Sequence, residues 1–224
     1  MNKSNLFGQF CCVILLAVLV LPPFIGFSDE QHLLRFQEHF GKLKAFRASF
    51  KQEFYDALLE KTSRSQGIVY YKKPGLMRWS YQTPDEMLIV IAKEKIWIYD
   101  PDLENVTIQA IDQVSKMNSL SFLLKNKKLT LHFNVIQPKR SYLDQSDKIA
   151  PLYLSPKEPD SNLTELQVGL DNQRYHIKQF VIIDSQQNYR KISFSNLDFS
   201  IPLDISLFRF VVTEGMEVID EVYH

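Results

Sequence analysis

Large apolar side chains alternate with polar ones from residue 72 to 107. Met77, Trp79 and Tyr81 fall on one face of a strand, and Ile96 and Ile98 stand against Trp97 and Tyr99 on another. The alternation breaks at Lys73-Pro74-Gly75, Thr83-Pro84-Asp85 and Asp100-Pro101-Asp102, so it reads as consecutive antiparallel strands joined by short turns. Upstream the period is different. Leu33, Phe36, Phe40 and Leu43 repeat at helical spacing and predict an amphipathic helix over 29–43, with Glu30 in its first turn and Lys42 and Lys44 at its end to suit the dipole. From about Ala45 the period drops to two, with Phe46, Ala48, Phe50, Gln52 and Phe54 against Arg47, Ser49, Lys51, Glu53 and Tyr55.

The same reading places strands at about 64–72, 76–82, 86–92, 95–99, 104–111, 129–136, 150–155, 163–171, 176–184 and 189–197. It also predicts a short helix over 119–125 carrying Leu120, Leu123 and Leu124, a polar loop over 138–148, a helical turn at 204–207 behind Pro202, and a last strand through Phe208, Phe210 and Val212. About eleven strands with a few short helical pieces, and no regular alternation with long helices, predict a mainly β protein built on one antiparallel sheet. A sheet of that size curls, and its apolar face is too bulky to be left wet. Three short helical pieces are too few to fill it, so a hollow roofed by helices is expected. Its candidate lining is Phe46, Phe50, Trp79, Ile89, Trp97, Leu120, Leu123 and Leu124, each of which has packed core as its alternative role.

Residues 1–28 have the build of an export signal: Met1 and Lys3, an apolar run from Phe10 to Leu21, then small residues at Gly26 and Ser28. Cleavage after Ser28 would leave 29–224 as a single exported domain. An uncleaved anchor is the alternative, opposed by an apolar run short of the ~20 residues a spanning helix needs and interrupted by Pro22-Pro23. Lipid modification at Cys11 or Cys12 is a second alternative, opposed by the bulky Phe10 before them. Both cysteines of the chain lie in this segment, so the remainder has no thiol nucleophile or thiolate metal site. Lys3 is the only charge lost with it from a balance of 26 basic and 26 acidic residues, and a near-neutral protein lacks the electrostatic basis for nucleic-acid binding.

Catalytic groupings are missing. His32, His39, His132, His176 and His224 show no metal-ligand spacing, no Gly-x-Ser-x-Gly elbow occurs, and the glycines are too few and scattered for a phosphate loop. Asp85 and Asp100 each flank a turn proline, where Asp bonds to local backbone amides. Neither an enzyme nor a bound cofactor or metal is expected.

Pro74-Gly75, Arg78-Trp79, Pro84-Asp85 and Trp97-x-Tyr99-Asp100-Pro101-x-Leu103 stand at the spacings of the signature region of the periplasmic lipoprotein carriers, and the chain resembles that LolA family. The resemblance extends to Ala45-Phe46-x-Ala48-Ser49-Phe50-x-Gln52, to 120–126 and to 208–220. It departs from the family at Thr213-Glu214-Gly215, where relatives carry prolines, and over 137–158. It implies an unclosed antiparallel β-barrel with a helical lid over a hydrophobic cavity, acylated lipoproteins as cargo, an ATP-driven inner-membrane complex as donor, and the outer-membrane lipoprotein LolB as acceptor. It also implies a lid latch at Lys73, in place of the family's arginine, reaching the backbone carbonyls of Phe40, Leu123 and Leu124. Lysine keeps the charge but loses the planar fork. Arg78 is a partial substitute for that latch, Met77 a candidate for partner docking, and the protein is expected to be a monomer. The rival readings are a carrier of free lipids or glycolipids and a lipid-sensing regulatory module of the same fold.

Overall fold

The structure, a computed structural model, describes residues 29–111, 128–160 and 162–222. The expected signal segment and the helix over 119–125, with Leu120, Leu123 and Leu124, lie outside the described residues. Helix α1 (Asp29–Lys42) is followed by β1 (Ala45–Asp56), β2 (Lys61–Lys72), β3 (Leu76–Thr83), β4 (Met87–Ala92), β5 (Lys95–Asp100) and β6 (Asn105–Ala110). After the undescribed stretch come α2 (Leu129–His132), β7 (Phe133–Val135), β8 (Ile149–Pro156), β9 (Glu165–Asp171), β10 (Ile177–Ile183) and β11 (Tyr189–Asp198). A 3-10 turn (Ile205–Phe208) and β12 (Glu217–Asp220) complete the chain.

All twelve strands join one sheet in the order β12-β6-β5-β4-β3-β2-β1-β11-β10-β9-β8-β7. The two edge strands, β12 and β7, do not pair, so the sheet is an unclosed barrel. Consecutive hairpins account for most neighbours. β11 lies beside β1, where Phe50 faces Phe194 and Gln52 faces Ile192, and this pairing joins the two halves of the sheet. Among the described residues the one parallel pair is β12 on β6.

The alternation read from the sequence divides the side chains between two faces. On one face, Phe46 and Tyr71 are partners across β1–β2, Met77 and Ile91 across β3–β4, and Phe180 and Ile192 across β10–β11. Helix α1 covers this face, burying Leu33 and Phe36, and rests against α2, β7 and β8. Its far end reaches the other half of the sheet, where the Phe40 ring lies 5.9 Å from Tyr71. α1 is thus a bridge across the open side. Gly67 makes one close approach on this face possible: a Cβ there would lie 2.0 Å from the Ser80 carbonyl oxygen and 2.9 Å from the Phe50 ring.

The opposite face has two covers that the sequence did not reveal. Loop 138–148 is held against β9 and β10 by two buried glutamines. Gln167 accepts the Tyr142 N–H at 2.8 Å and donates to the Arg140 carbonyl at 2.7 Å, while Gln179 accepts the Asp144 N–H at 2.9 Å. Leu143 then packs on Val181 and Ile183.

The second cover is the C-terminal segment. Lys72 donates to the Leu203 carbonyl, Arg78 Nη1 donates to the Leu207 carbonyl at 3.2 Å, and Phe210 lies 5.7 Å from the Tyr99 ring. The expected last strand through Phe208, Phe210 and Val212 is therefore corrected. That stretch is a strap that starts from a 3-10 turn capped by Asp204 and ending in the buried Phe208, and only residues 217–220 rejoin the sheet. The expected strand at 129–136 likewise begins with the helical turn α2 and pairs only from Phe133.

Candidate functional site

A cavity of about 350 Å³ lies between α1 and the covered face of the sheet. Phe36 and Phe40 of α1 form its roof; Ala45 and Phe46 of β1, Tyr71 of β2, and Met77 and Trp79 of β3 form one wall. Ile177 and Phe180 of β10, with Phe194 and Leu197 of β11 and Phe199 beyond it, form the other. The wall is a run of aromatic contacts. Phe46 lies 5.5 Å from Tyr71, 6.4 Å from Phe194 and 6.3 Å from Phe199, while Phe194 lies 6.3 Å from Trp79 and 5.6 Å from Phe180. Rigid rings tilted against one another leave gaps that flexible aliphatic chains would close, which is how densely apolar walls enclose empty space.

Ionisable groups stand at one margin, where His39, Lys42 and Lys44 are exposed and His176 is half-buried. The His176 ring stacks on Phe199 at 4.1 Å, and burial pushes its imidazole below the usual histidine range. Burial pushes the Tyr71 phenol up, which keeps it neutral. Tyr175 shares its hydroxyl with His32 Nδ1 at 3.2 Å, and His39 Nδ1 lies 3.3 Å from the Arg35 carbonyl. No group of three or more metal-ligating side chains occurs among the described residues.

The residues singled out from the sequence are distributed unevenly. Phe46 and Trp79 line the cavity. Phe50 is one layer below, fully buried, with its ring 4.9 Å from both Trp79 and Tyr81. Ile89 pairs with Trp79 and packs against the same core without reaching the hollow. Trp97 is corrected: it pairs with Val90 and Ile108, and these three occupy the face turned away from α1. The cause is parity. Ile96 and Ile98 take the α1 side, so the residue between them cannot.

Met77 is corrected as well, since at 3% exposure it belongs to the cavity wall and offers no surface to a protein partner. Lys73 does reach the end of α1, but Nζ donates to the carbonyl of Gly41 at 2.6 Å. Phe40, expected as a carbonyl partner, instead accepts the Leu43 N–H at 3.2 Å and contributes its ring to the roof. Leu123 and Leu124 lie outside the described residues. Arg78 is corrected from latch substitute to clamp of the C-terminal strap on the far face, where burial lowers its guanidinium below the usual arginine range.

Sequence reasoning missed the second wall, namely Ile177, Phe180, Phe194, Leu197 and Phe199. The alternation of 176–184 and 189–197 was visible, and Phe180 and Phe194 are its bulkiest members. What was lacking was the β1–β11 pairing that brings them opposite Phe46 and Phe50.

The family model of the outer membrane lipoprotein carrier protein LolA matches residues 41–211, most of the chain. The chain belongs to the LolA family. Among its relatives is the outer-membrane lipoprotein carrier protein of Nitrosomonas europaea, 26% identical, with the match covering 92% of this chain and 96% of that one. The carrier of Methylobacillus flagellatus is 28% identical over 95% of this chain and all of the other. A crystal structure of an uncharacterized conserved protein from Thermus thermophilus superposes with a TM-score of 0.51 at 10% identity, covering 87% of this chain and all of that one. That likeness concerns the fold alone. The aromatic hollow beneath α1 is therefore found in a LolA-family chain, and no helix among the described residues is long and apolar enough to cross a membrane.

Proposed function

We propose that this LolA-family protein is a non-catalytic periplasmic carrier. It accepts acylated lipoproteins released from the inner membrane by an ATP-driven complex, shields their acyl chains in the hollow beneath α1, and delivers them to an outer-membrane acceptor of the LolB type. The observation that carries the reading is the apolar cavity of about 350 Å³ under a helix whose last turn is tied to the sheet by Lys73. That volume equals about a dozen water-sized groups at ~30 Å³ each. The closed form thus suits one chain of about that many carbons, whose burial contributes on the order of 10 kcal/mol at ~0.8 kcal/mol per methylene.

Cargo with more than one chain requires α1 to move outward, and the cost of that movement offsets part of the binding energy. A carrier needs this offset, since an acyl chain bound too well would never be handed on. Loading then falls to the donor, and unloading runs downhill to the acceptor.

Purified protein mixed with an acylated lipoprotein released from detergent should give a water-soluble complex on gel filtration. Lipoprotein that aggregates regardless of the carrier would end the proposal. The same lipoprotein without its acyl chains should elute separately, since nothing in the reading recognises the protein part of the cargo.

A further inference from the structure

The cavity has a charge signature that carriage of a neutral acyl chain does not use. Two of its lining residues are lysines, Lys42 at the end of α1 and Lys44 just beyond it; His39 on the last turn of α1 and His176 beside β10 stand with them, and none of the lining residues is a carboxylate. The acids nearest these groups in sequence are already bonded. Glu38 is tied to Lys42 at 2.5 Å, and Asp171 accepts the backbone N–H groups of Gln173 and Arg174 at 3.1 and 2.8 Å.

Lys44 differs from Lys42. Its backbone carbonyl accepts the Lys73 N–H at 2.8 Å, which fixes its root at the margin. Its side chain is exposed, and its ammonium has no carboxylate partner among the described residues. An acyl chain attached to a protein through an ester or amide brings no charge to this place.

We propose that the cavity also takes free single-chain lipids with an anionic head, a carboxylate or a phosphate, with the chain between Phe46, Trp79, Phe180 and Phe194 and the head at Lys44, supported by Lys42. This rests on the cavity being an acyl site and adds a ligand class to it. Lys42 shares its charge with Glu38 and both ammonium groups are wet, so the preference over a neutral head is modest, roughly three- to tenfold.

The test uses purified protein loaded with an environment-sensitive apolar dye and displaced at low salt by dodecanoate, dodecyl phosphate or dodecanol, which share one chain length. Both anions should displace the dye at about three- to tenfold lower concentration than dodecanol, and the gap should narrow as salt shortens the screening length. Lys44→Gln should remove most of the gap without altering dodecanol affinity, and Lys44→Arg should restore it. A lead of dodecanoate over dodecyl phosphate would point to fatty acids as the natural source, and the reverse order to phospholipid-derived lipids.

Equal displacement by all three compounds, or a gap that survives Lys42→Gln with Lys44→Gln, overturns the inference and leaves the acyl cavity intact. Failure of every amphiphile to displace the dye overturns the acyl cavity with it.

Discussion

Replacing Lys73 by leucine removes the side-chain tie between the β2–β3 turn and the end of α1, the Nζ bond to the Gly41 carbonyl at 2.6 Å, and leaves the backbone bond from the Lys73 N–H to the Lys44 carbonyl in place. A charged donor on a carbonyl is worth about 1.5–3 kcal/mol when buried, and a cation at a helix C-terminus adds a few tenths. This contact is exposed, so about 1 kcal/mol is the appropriate figure. α1 is also held by the Phe40–Tyr71 contact, by the Tyr175–His32 bond and above all by Leu33 and Phe36, which at full burial contribute roughly 3–6 kcal/mol together. The lysine therefore supplies a minority of the grip, and Lys73→Leu should raise the population with α1 lifted by about fivefold without unfolding the protein. Hydrogen exchange resolved along the chain reads this directly. Amides of α1 should exchange about fivefold faster in the variant, by the same free-energy conversion, while those of β9 and β10 keep their wild-type rates. Phe36→Ala, which costs about 3–5 kcal/mol at a buried aromatic site, should accelerate the same amides far more. Lys73→Arg, with a fork able to engage further carbonyls, should slow them. Unchanged α1 exchange in Lys73→Leu, or equal acceleration in every strand, would refute the latch.

Three further outcomes follow from the geometry. The chain has two tryptophans on opposite faces, so Trp79→Phe should abolish the fluorescence response to an apolar ligand while Trp97→Phe preserves it; a response retained in Trp79→Phe would place the ligand elsewhere. Gly67→Ala forces a Cβ to 2.0 Å from the Ser80 carbonyl oxygen, against backbone that cannot yield like a side-chain tip. It should destabilise by about 2 kcal/mol or more and lower Tm by roughly 5 °C, measured by calorimetry. Burial holds the His176 imidazole below the ordinary 6.5, so the unfolded chain takes up its proton first, and this group's contribution to stability is lost as pH falls below about 6.5. His176→Asn should flatten the acid-side slope of urea-unfolding stability, and an unaltered slope would contradict the assigned burial.

Much of the fold was legible because hydrophobic period is a local property. The switch from Phe36 and Phe40 at helical spacing to Phe46, Ala48 and Phe50 at period two marks the end of α1 and the start of β1 within a few residues. The prolines of the 72–107 stretch mark its turns because proline cannot continue a ladder. Position 97 shows where this local reading stops. Alternation divides Ile96 and Ile98 from Trp97, but which set lies beneath the roof depends on parity carried across neighbouring strands. The register shift at Gln66/Gly67 between β2 and β3, and on the other half of the sheet those at Arg47/Ser49 and Ile177/Gln179, disturb that parity in ways the side-chain pattern does not announce. The C-terminal strap misled for a related reason. Phe208 ends the 3-10 turn and Phe210 lies on the strap beyond it, and apolar residues two apart resemble strand alternation whether or not the backbone joins a sheet.

Most of the described element types, the sheet-dominated class and membership of the lipoprotein-carrier family were thus written in the linear chain, because each rests on local spacing or on motif residues close together. Folding in three dimensions was needed to decide that Phe180 and Phe194 face Phe46 and Trp79 across a hollow, that Lys73 meets Gly41, and that basic side chains collect at one margin. These are contacts between segments that only strand pairing and the path of α1 bring together. No one-dimensional pattern encodes the empty volume left between them, since a void is a property of how surfaces fail to meet.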